Sequence, residues 1–189
     1  MYTARDFSSI IGVSGFSDTL LKAHFGLYDG YVKNTNLLVE KLAGLEPSTP
    51  EYAELKRRFG WEFNGMRLHE LYFENMAKDV EILPKDSGLY RTIVDHFGSY
   101  EAWEKDFKAT GALRGIGWVI LAYDREGGTL FNIWVGEHDI GHLAGAVPIL
   151  VMDVFEHAFI MDYGMKRKEY IDTFFGAINW DVVSGRFST

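Results

Sequence analysis

The sequence predicts an α+β fold, in which an N-terminal antiparallel helical hairpin precedes an α/β domain. Apolar residues recur at helical spacing in two long segments joined by a short link, and this pattern predicts the hairpin. Three later runs rich in β-branched and aromatic residues predict a small three-stranded antiparallel sheet covered by helices. We therefore expect two domains, residues 1–82 and residues 83–189, that share a core.

The first helix is predicted to begin after Ser17, which suits an N-cap, and to run to about Ala43, where Gly44 can stop it. One face of this segment carries apolar, aromatic and histidine side chains about one turn apart. The expected buried stripe is Leu20, His24, Leu27 or Tyr28, Tyr31, Thr35 and Leu38.

The second helix is predicted to begin at Ser48-Thr-Pro-Glu51 and to run to about Ala77. Pro50 is tolerated in a first helical turn, and Glu51 would complete a capping box. The expected apolar side of this helix consists of Phe59, Met66, His69, Phe73 and Met76.

After Pro84 the pattern changes to shorter elements. Two helices are predicted over Leu89–Phe97 and Ser99–Lys108, and the chain from Phe155 onward is predicted to be helical. Strands are predicted at Gly117–Tyr123, Thr129–Val135 and Val147–Met152, with hairpin-turn residues between the first two.

Composition narrows the classes of function. The 19 basic and 27 acidic residues give a formal charge of −8, so the surface on average repels nucleic acid and anionic membranes. The absence of cysteine excludes disulfides, thiolate metal ligands and cysteine nucleophiles. No apolar run is long enough to span a membrane, and we expect a soluble cytoplasmic protein.

Four side chains on apolar surfaces are candidate metal ligands: His24, His69, Asp153 and His157. Asp153 follows a buried strand, where an unpaired carboxylate would cost several kcal/mol. His157 lies one turn along if a helix starts at Asp153, so a simple Asp–His hydrogen bond beside two unrelated core histidines is the alternative. Three imidazoles and one carboxylate would suit zinc, iron or manganese.

The segment Asp-Val-Phe-Glu-His-Ala-Phe, residues 153–159, resembles the Asp-x-Trp-Glu-His-Ala-Tyr signature of iron/manganese superoxide dismutases. Further similar segments follow the family order along nearly the whole chain. They are Tyr31-Val-Lys-Asn-Thr-Asn36, Phe63-Asn64 before His69, Gly115-Ile-Gly-Trp118, Lys-Arg-Lys-Glu-Tyr170 and Asn179-Trp-Asp181.

The resemblance implies one iron or manganese ion per subunit between the two domains, held by His24, His69, Asp153 and His157. It implies that the ion alternates between trivalent and divalent states and converts superoxide to dioxygen and hydrogen peroxide. Hydrogen bonds to a solvent molecule on the metal would tune its potential. The alternative is a superoxide-dismutase-like metal-binding protein with altered redox chemistry or no enzymatic activity.

The sequence departs from the family near the first ligand. Tyr31 lies seven residues after His24, where family members usually place the tyrosine eight residues after the ligand. Seven steps of about 100° end roughly 20° short of two turns, so we predict an unbulged helix with Tyr31 facing the metal. Tyr28 occupies the place of a gateway histidine, and Ile160 that of the tyrosine with which it pairs across the dimer. Tyr28 is therefore assigned to the pocket wall or gateway.

The resemblance also assigns roles around the metal. Gly65 cannot supply the family's solvent-binding glutamine, so His138 is expected to bond the metal-bound solvent. Trp118 would form a wall of the site, although a plain core role is the alternative. Glu156 resembles the glutamate that reaches the partner subunit's ligand histidine, which implies a homodimer or homotetramer.

Overall fold

A computed structural model describes residues 1–188 of the chain. Seven α-helices and a three-stranded sheet form this part of the protein, which confirms the α+β class. In chain order the elements are α1 Asp18–Gly44, α2 Pro50–Glu74, α3 Gly88–Phe97, α4 Tyr100–Gly111, β1 Gly117–Asp124, β2 Thr129–Gly136, β3 Val147–Asp153, α5 Ile160–Tyr163, α6 Arg167–Phe175 and α7 Trp180–Ser188. Short 3₁₀ helices cover Ser8–Ile10 and Glu156–Ala158.

Helix α1 is continuous α-helix throughout, as predicted, and Gly44 is its last residue. The Ser17 side chain accepts a hydrogen bond from the Leu20 N–H and so caps the helix. Of the two alternatives for the buried stripe, Tyr28 is buried and Leu27 is 37% exposed. The stripe therefore passes through Tyr28.

Helix α2 differs from prediction at both ends. Thr49 is the N-cap and accepts from the Tyr52 N–H, so Glu51 lies too early in the helix for the predicted capping box. The helix ends at Glu74 instead of near Ala77, because Met76 pairs with Ile178 and the Ala77 N–H donates to the Ala177 carbonyl. Hydrogen bonding to the C-terminal segment thus replaces the hydrogen bonds that would have continued the helix.

The sheet has the order β2-β1-β3 with both pairings antiparallel. The central strand β1 is buried over Gly117–Ala122, as expected for a strand covered on both faces. Its register places Trp118 opposite Val135 on one side and opposite Asp153 on the other. The last residue of β3 is therefore adjacent to Trp118.

The chain after β3 is less regular than predicted. Asp153 ends the strand and does not start a helix, so His157 is not one helical turn along. The backbone bends at Phe155 into the 3₁₀ turn and then passes through α5, α6 and α7. This bend brings His157 back toward Asp153. Among residues 1–188, no helix has the length and apolar character needed to cross a bilayer.

Candidate metal centre

Four side chains from four places in the chain converge on one point. His24 comes from α1, His69 from α2, Asp153 from the end of β3, and His157 from the 3₁₀ turn. The Oδ2 atom of Asp153 lies 3.2 Å from His24 Nε2, 3.7 Å from His69 Nε2 and 3.1 Å from His157 Nε2. All four donor atoms lie within 4.8 Å of one another.

This cluster has the dimensions of a metal-coordination shell. Metal–ligand bonds of about 2.0–2.2 Å at angles of 90–120° place neighbouring donors about 3–3.7 Å apart. The Nε2 atoms of His24 and His69 are buried without a hydrogen-bond partner, although His24 Nε2 lies 3.2 Å from the carboxylate. Buried polar atoms without partners are rare, and a cation between these donors would satisfy them. The side chains present therefore fit an iron or manganese ion.

The protonation states of the donors also suit a metal. Burial lowers the pKa of His24 and, more strongly, the pKa of His69, so both imidazoles are neutral at neutral pH. Burial acts to raise the pKa of Asp153, but the neighbouring His157 and His24 outweigh it and lower that pKa below its usual value. Two neutral imidazoles with lone pairs and one carboxylate are thus available without proton release.

Contacts behind the donors orient them. The Nδ1–H of His69 donates to the Gly65 carbonyl at 2.5 Å, which leaves the Nε2 lone pair facing the cluster. Asp153 Oδ1 accepts from the Phe155 N–H at 2.8 Å, so its Oδ2 is the oxygen that faces the imidazoles. Tyr170 Oη donates to the Asp153 carbonyl at 2.5 Å and anchors the strand end to α6.

His138 joins Trp118 and Tyr31 in a buried chain of hydrogen bonds. The indole Nε1–H of Trp118 donates to His138 Nδ1 at 3.0 Å, and His138 Nε2 lies 2.8 Å from Tyr31 Oη. Because an indole can only donate, Nδ1 carries no proton, and the single proton of the neutral ring must be on Nε2. Burial lowers the pKa of His138 to about 4, so the ring is neutral. His138 therefore donates to Tyr31, whose own O–H stays free to donate elsewhere.

Tyr31 lies against the cluster, as the spacing on α1 predicted. Its ring stacks on His69 with centroids 5.1 Å apart. A Cβ atom at Gly65 would lie 2.6 Å from Tyr31 Cδ1, so the missing side chain on α2 is what lets the tyrosine ring fit. Burial raises the pKa of Tyr31 well above its usual value, which keeps the hydroxyl protonated.

Tyr28, assigned from the sequence to the pocket wall or gateway, contacts both the N-terminal segment and α2. Its hydroxyl donates to Glu70 Oε1 at 2.9 Å and accepts from the Arg5 N–H at 3.0 Å. Its ring packs edge-on against Phe73, which in turn contacts His24 with ring centroids 4.9 Å apart. Tyr28 therefore supports the wall behind His24, and its polar end points away from the four donors.

Other predicted residues have clear positions. Trp118 packs edge-on against His69 with centroids 5.0 Å apart and so lines the site. Phe155, in place of the signature tryptophan, stacks between His138 and His157, with centroid distances of 4.8 and 5.0 Å. Glu156 is exposed on the turn, next to the exposed Ile160.

Several contacts at the site were not predicted. Trp61 packs on His138 with centroids 4.4 Å apart, and Arg58 stacks over Trp61. His142 places its Nε2 atom 2.9 Å from the His138 carbonyl. The only sequence signal for Trp61 was a tryptophan between Phe59 and Phe63 on α2, which carries no information about its partner.

Comparison with known proteins gives consistent results. The model of the C-terminal domain of iron/manganese superoxide dismutases matches residues 85–186. A superoxide dismutase [Fe] of Cupriavidus metallidurans is 37% identical over 93% of this chain and 90% of that protein. A superoxide dismutase [Fe] of Aquifex aeolicus is 36% identical over 93% of this chain and 85% of that protein. A superoxide dismutase [Mn] 2 of Haloferax volcanii is 35% identical over 85% of this chain and 80% of that protein.

Proposed function

The chain belongs to the iron/manganese superoxide dismutase family, and from that premise we propose that His24, His69, Asp153 and His157 are the ligands of its metal ion. The protein is an oxidoreductase that converts superoxide to dioxygen and hydrogen peroxide with one iron or manganese ion. The observation that carries the ligand assignment is the convergence of three Nε2 atoms on Asp153 Oδ2 at 3.1 to 3.7 Å.

The ion, when bound, supplies the redox chemistry by accepting an electron from one superoxide and giving an electron to the next. Asp153 contributes a single negative charge to a donor set that is otherwise neutral, which stabilises a trivalent cation without cancelling its charge. His69 is held in the required tautomer by the Gly65 carbonyl. The protein thus prepares the site before the metal binds.

Both ring nitrogens of His138 are bonded, to Trp118 and to Tyr31, so we propose that His138 acts in proton transfer through Tyr31 and not by the expected bond to the metal-bound solvent. Formation of hydrogen peroxide from superoxide consumes two protons, so the site needs a donor close to the substrate. Tyr31 Oη accepts from His138 Nε2–H and keeps its own O–H available, which makes it the donor we assign. Trp118 holds His138 in the tautomer that this arrangement requires. Trp118 and Phe155 exclude bulk water on the adjacent side.

The ligand assignment is tested with protein reconstituted separately with iron and with manganese. Elemental analysis is expected to give one ion per chain, and stopped-flow superoxide decay is expected to exceed that of the free metal. His69→Ala should lose both metal and activity, whereas His96→Ala, on the exposed surface of α3, should keep both. Full metal content in His69→Ala, or wild-type protein no faster than free metal, would show that the proposal is wrong.

We propose in addition that the protein is a homodimer or homotetramer with Glu156 at an interface. Glu156 is exposed beside His157, and the neighbouring Ile160 and Met161 are 42% and 53% exposed. An apolar surface next to an exposed carboxylate suits an interface in which that carboxylate meets an imidazole. Light scattering of Glu156→Lys is expected to show a smaller assembly, whereas Glu126→Lys in the β1–β2 turn should leave it unchanged.

The expected cytoplasmic location stays a prediction, which cell fractionation would test.

A further inference from the structure

The turn that carries His138 contacts α2 through Trp61, which lies eight residues before His69, and through His69 itself, whose ring centroid lies 6.1 Å from that of His138. We propose that Trp61 is a positioning residue, which holds this turn and thereby the orientation of His138 toward Tyr31. The inference rests on the proposed function, because it matters for turnover only if His138 supports Tyr31.

Trp61 makes two contacts with the turn at once. Its Nε1–H donates to Glu137 Oε2 at 2.9 Å, and its ring meets the His138 ring nearly edge-on at 4.4 Å and 75°. The half-buried indole also lies against Tyr31, with ring centroids 5.6 Å apart. One side chain of α2 thus touches the residue before His138, His138 itself and the hydrogen-bond partner of His138.

The turn is held in a backbone conformation that it would not favour on its own. Glu137 has φ +49°, the only positive φ at a non-glycine residue in the part of the chain that is described. Such a conformation is unfavourable for a residue with a Cβ and persists only where surrounding contacts impose it. The contacts here are a pair of backbone hydrogen bonds between Gly136 and Ile140, the bond from the Glu137 N–H to the Ile116 carbonyl, and Trp61.

Arg58 stacks on the tryptophan ring. The guanidinium carbon lies 3.7 Å from the Trp61 ring centroid, a close cation–π contact. Arg58 also binds the buried carboxylate of Glu62 through Nε at 2.9 Å and through Nη2 at 2.8 Å. Glu62, one turn along α2, thus holds Arg58 against the indole.

The geometry of His138 is sensitive to this arrangement. Its two ring hydrogen bonds, at 2.8 and 3.0 Å, leave little tolerance before they exceed the usual limit of about 3.2 Å. A shift of the turn by about 0.5 Å would weaken one of these hydrogen bonds. Without Trp61, the turn can relax away from α2 and carry the imidazole with it.

The test uses Trp61→Phe, which keeps an aromatic ring and removes the N–H donor. Two changes are made at the partner. Glu137→Gln keeps both an acceptor oxygen and the positive φ, whereas Glu137→Gly removes the acceptor and relieves the positive φ, so its effect cannot come from added strain. Trp180→Phe, which removes an indole packed between Tyr100 and Trp103, is the matched control.

The first readout is the indole N–H resonance of Trp118 in ¹H–¹⁵N spectra of metal-free protein, because that proton is bonded to His138. We expect it to shift or broaden in Trp61→Phe and Glu137→Gly, and to stay in place in Glu137→Gln and Trp180→Phe. The second readout is kcat of the metal-loaded forms. In Trp61→Phe and Glu137→Gly we expect kcat to fall about two- to tenfold at unchanged metal content, which is the range expected for the loss of one hydrogen bond.

A Trp118 resonance unmoved in both Trp61→Phe and Glu137→Gly would overturn the proposal. A shift in Trp61→Phe alone would also overturn the proposal, because the contact with the Glu137 carboxylate would then have no part in positioning His138. Because Glu137→Gly removes strain, its thermal stability should not fall with its kcat, and a parallel loss of both would indicate a merely structural role. Failure of wild-type protein to turn over superoxide would refute the proposed function, while the resonance test would still decide the role of Trp61.

Discussion

Gly65→Ala is expected to disturb Tyr31 without touching a metal ligand. The added Cβ would lie 2.6 Å from Tyr31 Cδ1 and 2.7 Å from Cε1, whereas carbon atoms in contact lie about 3.5–4.0 Å apart. The buried tyrosine ring must therefore retreat by about 1 Å. A retreat of that size would stretch the 2.8 Å contact between Tyr31 Oη and His138 Nε2 beyond hydrogen-bond range.

The energetic outcome combines two opposing effects. Overpacking costs about 1–3 kcal/mol, and replacing glycine by alanine within a helix contributes about 1 kcal/mol in the other direction. We expect a net loss of about 0–2 kcal/mol in the free energy of unfolding. Gly60→Ala on the same helix is the control, because its Cβ would meet nothing within 4 Å, and it should gain about 1 kcal/mol.

The assays are urea unfolding of the metal-free variants and superoxide decay by the metal-loaded ones. Gly65→Ala should keep its metal and lose at least about tenfold in turnover, because proton transfer from a positioned group contributes about 10²–10⁴-fold. Gly60→Ala should turn over superoxide at the wild-type rate. If Gly65→Ala gained as much stability as Gly60→Ala and kept full activity, the assigned packing and role of Tyr31 would both be refuted.

Three further predictions concern pH, the wall of the site and a helix cap. Because burial lowers the folded-state pKa of His24 and His69, metal-free protein binds fewer protons than its unfolded chain, so its free energy of unfolding should fall as pH drops below about 6.5 and be flat above it. The stability that comes from the lowered pKa of Asp153 should be lost only below about pH 4, outside the range in which the histidines act. Urea midpoints that stay constant from pH 8 to pH 5 would therefore contradict the reasoning on His24 and His69. Tyr28→Phe should lower the free energy of unfolding by about 1 kcal/mol, through loss of the bond to Glu70, and leave superoxide turnover unchanged; a large loss of turnover would favour the gateway role over the pocket wall. Thr49→Ala should destabilise by about 1 kcal/mol in thermal unfolding and Ser48→Ala by much less, and the reverse order would refute the assigned cap.

Local patterns in the sequence were enough to place the main elements. Helical periodicity placed the buried face of α1, and the β-branched runs placed all three strands within a residue or two of their observed limits. The spacing of His24 and Tyr31 predicted a regular helix, which the structure shows. These features depend on contacts within one segment or on a single buried face, so they can be read from spacing alone.

Features that depend on contacts between distant segments could not be predicted in this way. The end of α2 depends on Ala177, which lies a hundred residues away in sequence, and the orientation of Tyr28 depends on Arg5 and Glu70. The bend after Asp153 replaced a predicted helix because the strand end is anchored by Tyr170. Resemblance to the family pointed to His138, but its hydrogen bonds to Tyr31 and Trp118 join segments up to 107 residues apart.

The central claim is that three imidazoles and one carboxylate hold a single redox-active ion. The most direct test is anomalous X-ray diffraction from crystals of the metal-loaded protein, measured on both sides of the iron or manganese absorption edge. The expected result is one strong peak per chain, about 2.0–2.2 Å from His24 Nε2, His69 Nε2, Asp153 Oδ2 and His157 Nε2. A peak elsewhere, or a peak that leaves any of these four atoms outside bonding distance, would contradict the account.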